Sequence, residues 1–291
     1  MTGKYNIKDL EVLSGIKAHT LRIWEQRYGI LQPERTDTNI RLYSNEDLKR
    51  ILNVSTLNKS GIKISKIAQL KEAEINDAVK KLIVTGDDKD GLIDGLIVAM
   101  VDLNEEMFNR IISINTVKEG FEKTIIEVIF PFLKKTGVMW LTDSINPAQE
   151  HFITNLIRQK LIAAIDSVNG HHTETSPKIT FYLPEAELHE ISLLLYNYMA
   201  KTRGYNTIYL GQSVPFNDLI KVQSISHTEI MVTVITQSLK EIEFEEYVNK
   251  LAHSLPNTKI FISGYQAIKN PIKSPKNVRI FESPADFIQL L

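Results

Sequence analysis

The 291-residue chain contains no cysteine. Disulfides, thiolate zinc sites and cysteine nucleophiles are therefore excluded, and the composition suits a reducing compartment such as the cytoplasm. The opening residues MTGKYNIKDL hold no apolar core of the kind a signal peptide needs. The longest apolar candidate, GLIDGLIVAMVDL (91–103), is interrupted by Asp94 and is too short to cross a bilayer, so no membrane partner is expected. Neither a P-loop nor a Gly-x-Gly-x-x-Gly run after a strand occurs, which removes the usual nucleotide-binding signatures. What remains has the composition of an ordinary globular protein, 43% hydrophobic and 24% charged, at a length that predicts two or three domains.

Charge is unevenly spread. Residues 1–70 hold 12 Lys and Arg against 7 Asp and Glu, whereas the rest of the chain is net acidic. A basic module at one end of an acidic body points to a polyanion partner at that end. In YNIKDLEVLSGIKAHTLRIWEQRY (5–28) the apolar spacing predicts a helix, a turn at Gly15 and a second helix that Gly29 ends. The second helix carries Lys17, His19, Thr20 and Arg22 early, where a recognition helix touches base edges and phosphates. LQPERTDTNIRLYSNEDL (31–48) then predicts a small hairpin carrying Arg35, Arg41 and Tyr43, with Asn39 left-handed at its turn. Ser44 and the acidic residues after it start a third helix. This is a winged helix-turn-helix layout, and it makes Lys17, His19, Thr20, Arg22, Arg27, Tyr28, Arg35, Arg41 and Tyr43 the candidate contacts to double-stranded DNA.

The run TLRIWEQRYGILQPERTDTNIRLYSNEDL resembles the N-terminal domain of the MerR family of transcription regulators. The matching positions are Thr20-Leu21-Arg22, Trp24-Glu25, Arg27-Tyr28-Gly29, Pro33, Arg35 and Arg41-Leu42-Tyr43. The resemblance implies a homodimer on a near-palindromic operator, with the wing gripping phosphates. Asn39-Ile40 stands where many relatives carry a wing glycine.

Residues 76–170 read as a bundle of four amphipathic helices, with Asn146-Pro147 as one helix start. Trp140, followed after nine residues by Glu150-His151, is by residue type a core aromatic and two first-turn polar residues. The spacing resembles the Trp…Glu-His signature in the helical cap of cobalamin-binding, light-sensing repressors of the MerR family, where these side chains cover the upper face of the cofactor. Those relatives usually carry a histidine directly after the tryptophan. Leu141 stands there in this chain, so a bis-histidine state after photolysis is not implied.

From residue 177 the period changes. KITFYL, NTIYLG, EIMVTVIT, KIFISG and VRIF are strand-like, and helical runs separate them. Alternation of this kind predicts a flavodoxin-like, doubly wound parallel sheet over 177–291, with its ligand crevice beyond the strand C-termini. The fold class expected overall is multidomain, α and α/β, with domains 1–75, 76–170 and 177–291. LPEAELHEIS (183–192) occupies the crevice position. Glu187-Leu188-His189 resembles the acidic-x-His-x-x-Gly motif of cobalamin-binding domains, which implies His189 as the lower cobalt ligand and Glu187 behind it. Ser192 replaces the motif's glycine, and Gly264-Tyr265 stands in place of Gly-Gly. The Ser or Thr expected after the third strand is ambiguous between Thr236, Ser238 and their neighbours.

Two readings of this half therefore stand. In one, adenosylcobalamin binds at His189 and Ser192 under Trp140, Glu150 and His151. In the other, the domain keeps the fold without the corrinoid and acts through protein partners or assembly. His171-His172, with Glu174 nearby, is read as linker, and EIEFEEY (241–247) as a solvated helix face. The function expected is a MerR-type DNA-binding regulator and not an enzyme. A corrinoid-binding enzyme subunit is the alternative, opposed by the basic winged module.

Overall fold

In the computed structural model, which describes residues 5–36, 38–85, 88–141, 145–168, 175–239 and 243–291, local capping chemistry sets the first elements. Asn6 caps α1 (Ile7–Ser14): its side chain accepts from Lys8 and Asp9 N–H, and Asp9 returns a bond to the Asn6 N–H. Gly15 closes the helix at φ 73°, and Gly29 closes α2 (Ala18–Tyr28) at φ 62°, both left-handed. A two-stranded antiparallel wing follows, β1 (Glu34–Arg35) and β2 (Arg41–Leu42), with Arg35 opposite Arg41. Asn39 is left-handed at φ 62°, as its place in the turn predicted, and its side-chain oxygen accepts from Arg35 at 2.5 Å. Tyr5 and Tyr43 exchange backbone hydrogen bonds of 2.9 and 2.8 Å, adding the chain's first described residue to the wing. Ser44 and Asp47 form the capping box of α3 (Asn45–Lys59). Leu10, Leu13, Leu21, Leu48, Ile51 and Leu52 bury together beneath these helices.

The helical region comprises α4 (Ile64–Ile67), α5 (Glu72–Thr85), α6 (Lys89–Val101), α7 (Glu105–Glu119), α8 (Phe121–Thr124), α9 (Phe130–Leu141) and α10 (Pro147–Ser167). A π-helical turn, Ile125–Ile129, joins α8 to α9. That widened turn ends two residues before Pro131, whose ring would crowd the carbonyl four residues back in a regular helix. The amphipathic pattern expected of all four bundle helices does not hold for α6, where every residue from Gly91 to Val101 is buried. A helix apolar on all sides belongs in the middle of its neighbours. It also buries Asp94, whose Oδ1 accepts from Lys135 Nζ at 2.9 Å. The same ammonium donates to the Leu13 carbonyl at the end of α1, at 3.2 Å.

By its internal contacts the chain divides into two compact units, 1–156 and 157–291. The winged module and most of the helical region fall in the first, with α5 running through position 75 and the division itself lying inside α10. The second unit holds a parallel sheet of β3 (Lys178–Pro184), β4 (Asn206–Val214), β5 (Ile230–Val234), β6 (Lys259–Ser263) and β7 (Val278–Ile280), in the order β4-β3-β5-β6-β7. Between the strands run α11 (Ile191–Thr202), α12 (Phe216–Ser226), α13 (Phe244–Ser254) and α14 (Tyr265–Lys269), and α15 (Pro284–Leu290) ends the chain. β5 is buried along its whole length, as a strand covered on both faces must be. The order reverses between β3 and β5, so the crevice of this sheet opens at their C-terminal ends. Gly264, at φ 103°, lets the turn after β6 pass against the end of β5: a Cβ there would sit 2.5 Å from the Ile235 carbonyl oxygen.

Candidate nucleic-acid interface and sensor site

On the winged module Leu21 and Trp24 turn inward, which leaves Lys17, His19 and Arg22 exposed on α2, with Thr20 half-buried beside them. Arg27 is exposed with its guanidinium 5.4 Å from the centre of the half-buried Tyr28 ring, and Arg35 is exposed on the wing. Tyr43, expected as a phosphate contact, is a correction: it is 1% exposed, and its hydroxyl donates to Glu25 Oε2 at 3.0 Å. Burial and that carboxylate push the Tyr43 pKa up, so the hydroxyl stays protonated and remains a donor. The backbone of Tyr43 pairs with Tyr5, and the side chain that the wing layout placed at the surface is buried. Arg41 is anchored too, its Nε lying 3.0 and 3.2 Å from the two Glu25 oxygens. Glu25 thus ties the recognition helix to the wing. In the sequence it stands out only as a matching motif position. An acidic residue inside a basic motif, next to a buried tryptophan, was the signal available.

In the second unit the loop 185–190 follows β3, and Glu187 organises it. The residue is 2% exposed. Its Oε1 accepts from the Leu188 and His189 N–H groups, both at 3.0 Å, and from His189 Nδ1 at 2.7 Å. Its Oε2 accepts from the Thr236 and Gln237 N–H groups at 2.7 and 2.9 Å, in the loop after β5. Burial by itself would raise the carboxyl pKa. The bonds from His189, Gln237 and Thr236 outweigh it and hold the value at about 2. The Glu187 carbonyl also accepts from Ser213 N–H at 3.2 Å, near the C-terminal end of β4. One carboxylate-bearing loop therefore stitches together the ends of the three strands at the switch point. A carboxylate that accepts from Nδ1–H is also the arrangement that orients a histidine in metal sites. The His189 side chain is 52% exposed.

Glu190, next along, accepts from Tyr209 OH at 3.0 Å and pairs with Arg158, a cluster that sequence reading missed because its members are far apart in the chain. Ser192 is half-buried in the first turn of α11. Thr236 contributes its backbone N–H to Glu187, and its carbonyl, like Ser238 Oγ, lies 3.4 Å from Gln266 Nε2. Tyr265 is 56% exposed, with Lys269 Nζ 5.4 Å from its ring centre. In the first unit, Trp140 lies at the end of α9, and Glu150 and His151 pair with each other at 3.1 Å in the first turn of α10. That helix starts as predicted, with Asn146 capping Gln149 N–H at 3.0 Å. His171, His172 and Glu174 lie outside the described residues, as do the first two positions of the 241–247 run. Of the rest of that run, Glu243, Glu245 and Glu246 are exposed while Phe244 and Tyr247 turn into the core.

Residues 5–74 match the MerR HTH family regulatory protein family, and residues 92–164 match a B12 binding domain. The chain is a MerR-type regulator with a B12 binding domain. The regulator is 23% identical to the HTH-type transcriptional repressor CarH of Myxococcus xanthus over 98% of this chain and 97% of that protein. It is 27% identical to the repressor CarA of the same organism over 72% of this chain and 68% of CarA. The HTH-type transcriptional regulator MlrA of Escherichia coli strain K12 matches the head alone, 37% identical over 24% of this chain and 29% of MlrA. All three are transcription regulators, in keeping with a regulator and not an enzyme. The B12 binding match falls on the helical region and includes Trp140, Glu150 and His151. No described helix of the regulator is long and apolar enough to cross a membrane.

Proposed function

We propose that this protein is a cytoplasmic, homodimeric regulator that binds a near-palindromic operator through Lys17, His19, Thr20, Arg22, Arg27, Tyr28, Arg35 and Arg41, and that its second half senses a corrinoid through His189. The observation that carries the sensor reading is the Glu187–His189 pair at the sheet's switch point. A buried carboxylate fixing a half-exposed imidazole is a pair that would suit holding cobalt. Trp140, Glu150 and His151 are the further cofactor contacts that the family resemblance implies, and Ser192 stands beside them where its motif has glycine. The bound group, adenosylcobalamin, would supply a cobalt–carbon bond.

One observation favours the other reading, a regulator without corrinoid that acts through protein partners. The cavity beside Glu187, lined by Glu185, Ala186, Gln237, Ser238 and Leu239, measures about 10 Å³, enough for a water-sized group and not for a nucleotide tail. Mixing the protein with adenosyl- or hydroxocobalamin in the dark, desalting, and recording the absorption spectrum separates the two. Retained colour in the wild type that His189→Ala loses supports the sensor reading, and colourless protein removes it. A salt-dependent mobility shift tests the DNA reading independently.

A further inference from the structure

We infer that Glu25 is a positioning residue of the DNA interface: a negatively charged side chain on the DNA-facing module whose removal weakens binding, because it holds Arg41 and the wing in the attitude that meets phosphate. This rests on the DNA-binding reading and adds to it a residue of the wrong charge for a direct contact.

The geometry is specific. Glu25 lies in the last turn of α2, and its carboxylate is 12% exposed. Its Oε1 takes Arg41 Nε at 3.0 Å, and its Oε2 takes both Arg41 Nε at 3.2 Å and Tyr43 OH at 3.0 Å. Arg41 is itself only 24% exposed. A wing of two-residue strands has few ladder bonds to hold its angle. The Glu25 hub supplies what the ladder lacks: it fixes the wing to the recognition helix through Arg41 and Tyr43, the two residues that flank Leu42. A guanidinium has five N–H donors in a rigid fork. With Nε–H committed to Glu25, the fork is oriented and the remaining donors are presented as a set, so little rotamer entropy is lost when a phosphate arrives.

Two effects of opposite sign therefore compete at this residue. As a charge, Glu25 repels the DNA backbone, and neutralising it alone would tighten binding. As an anchor, it preorganises Arg41 and the wing, and losing it would loosen binding. The buried, multiply bonded geometry assigns the larger share to the anchor, since charge-assisted bonds in a partly desolvated site are worth more than one screened repulsion at the surface.

The test is a double-mutant cycle with the full-length chain, using a random-sequence 30-base-pair duplex titrated at several salt concentrations, because phosphate contacts are independent of sequence. Glu25→Gln keeps the shape and removes the charge. Alone it is expected to weaken binding about tenfold and to make the salt slope shallower by about 0.9, the signature of one lost phosphate contact. In the Arg41→Ala background the same substitution is expected to tighten binding slightly, since only the repulsion is left to remove. Tyr43→Phe, which removes one anchor without changing charge, is expected to lie between the wild type and E25Q. Far-UV circular dichroism and melting temperature confirm that each variant is folded. If E25Q tightens binding in both backgrounds, the inference is overturned while the DNA reading survives. If the wild type binds neither this duplex nor fragments of genomic DNA, the DNA reading falls and the inference with it.

Discussion

Replacing Asp94 by Asn should make the first unit progressively more stable than the wild type as pH rises from 4 to 7. Asp94 lies in the buried middle of α6, 1% exposed. Its Oδ1 holds Lys135, but its Oδ2 has no hydrogen-bond partner, with Lys59 Nζ at 4.0 Å. Burial raises its pKa to about 6 against 3.8 in an ordinary setting, with the Lys135 ammonium opposing the rise. The folded state therefore keeps this proton through a pH range in which the unfolded state has released it. Stability falls as pH climbs from 3.8 through about 6, and the full cost is present above that. A shift of two units corresponds to about 3 kcal/mol. The Asn variant carries no such titration. Its stability relative to wild type should rise by about 2–3 kcal/mol between pH 4 and pH 7, whatever constant offset the altered bond to Lys135 introduces. Urea unfolding followed by tryptophan fluorescence is the assay, because Trp24 and Trp140, the two tryptophans of the chain, both lie in the unit 1–156. A wild-type-to-variant difference that is flat with pH, or that shrinks as pH rises, would refute the reasoning.

Lys135→Met leaves the Asp94 carboxylate buried without its closest cation and takes a donor from the Leu13 carbonyl. The same fluorescence assay should show a loss of about 3 kcal/mol at pH 8, much of it recovered at pH 5, where Asp94 is protonated. Glu187→Gln replaces an acceptor-only group with one that has a single acceptor oxygen for five donors. Hydrogen exchange should speed up at the Thr236 and Gln237 amides, and unchanged protection there would contradict the stitching role. Gly264→Ala places a Cβ 2.5 Å from the Ile235 carbonyl oxygen at a backbone angle L side chains rarely adopt, so limited proteolysis should find the α/β unit open. Arg22→Ala should flatten the salt dependence of DNA binding by about 0.9 with the fold intact, and an unchanged slope would remove Arg22 from the interface.

Much of the architecture was legible because its determinants are local. Gly15, Gly29 and Asn39 each announced a left-handed residue, and each is one, since a turn of that kind is decided within a few residues. The strands and helices of the second unit follow the alternation of period along the chain, and the parallel topology follows from the right-handed crossover. His189 and Glu187 were found together because they are two residues apart. The enclosed position of α6 was less legible: a continuous apolar run around one aspartate reads as an imperfect amphipathic helix until its neighbours are seen to surround it.

What the sequence by itself determined is the order of elements, the winged head, the doubly wound sheet and the histidine at its crevice, because capping, turn chemistry and hydrophobic period act over short separations. Tertiary structure alone decided the roles of charged and polar side chains. Tyr43 and Arg41 look like two surface residues of the wing in the chain, but Tyr43 is buried and Arg41 is anchored once Glu25, on another element, accepts from both. Glu187 becomes a hub only when the loop after β5 brings the Thr236 and Gln237 N–H groups to its second oxygen. Asp94 acquires its raised pKa from the helices that bury it. Each is a matter of desolvation and of partners far away in sequence, which no local pattern encodes.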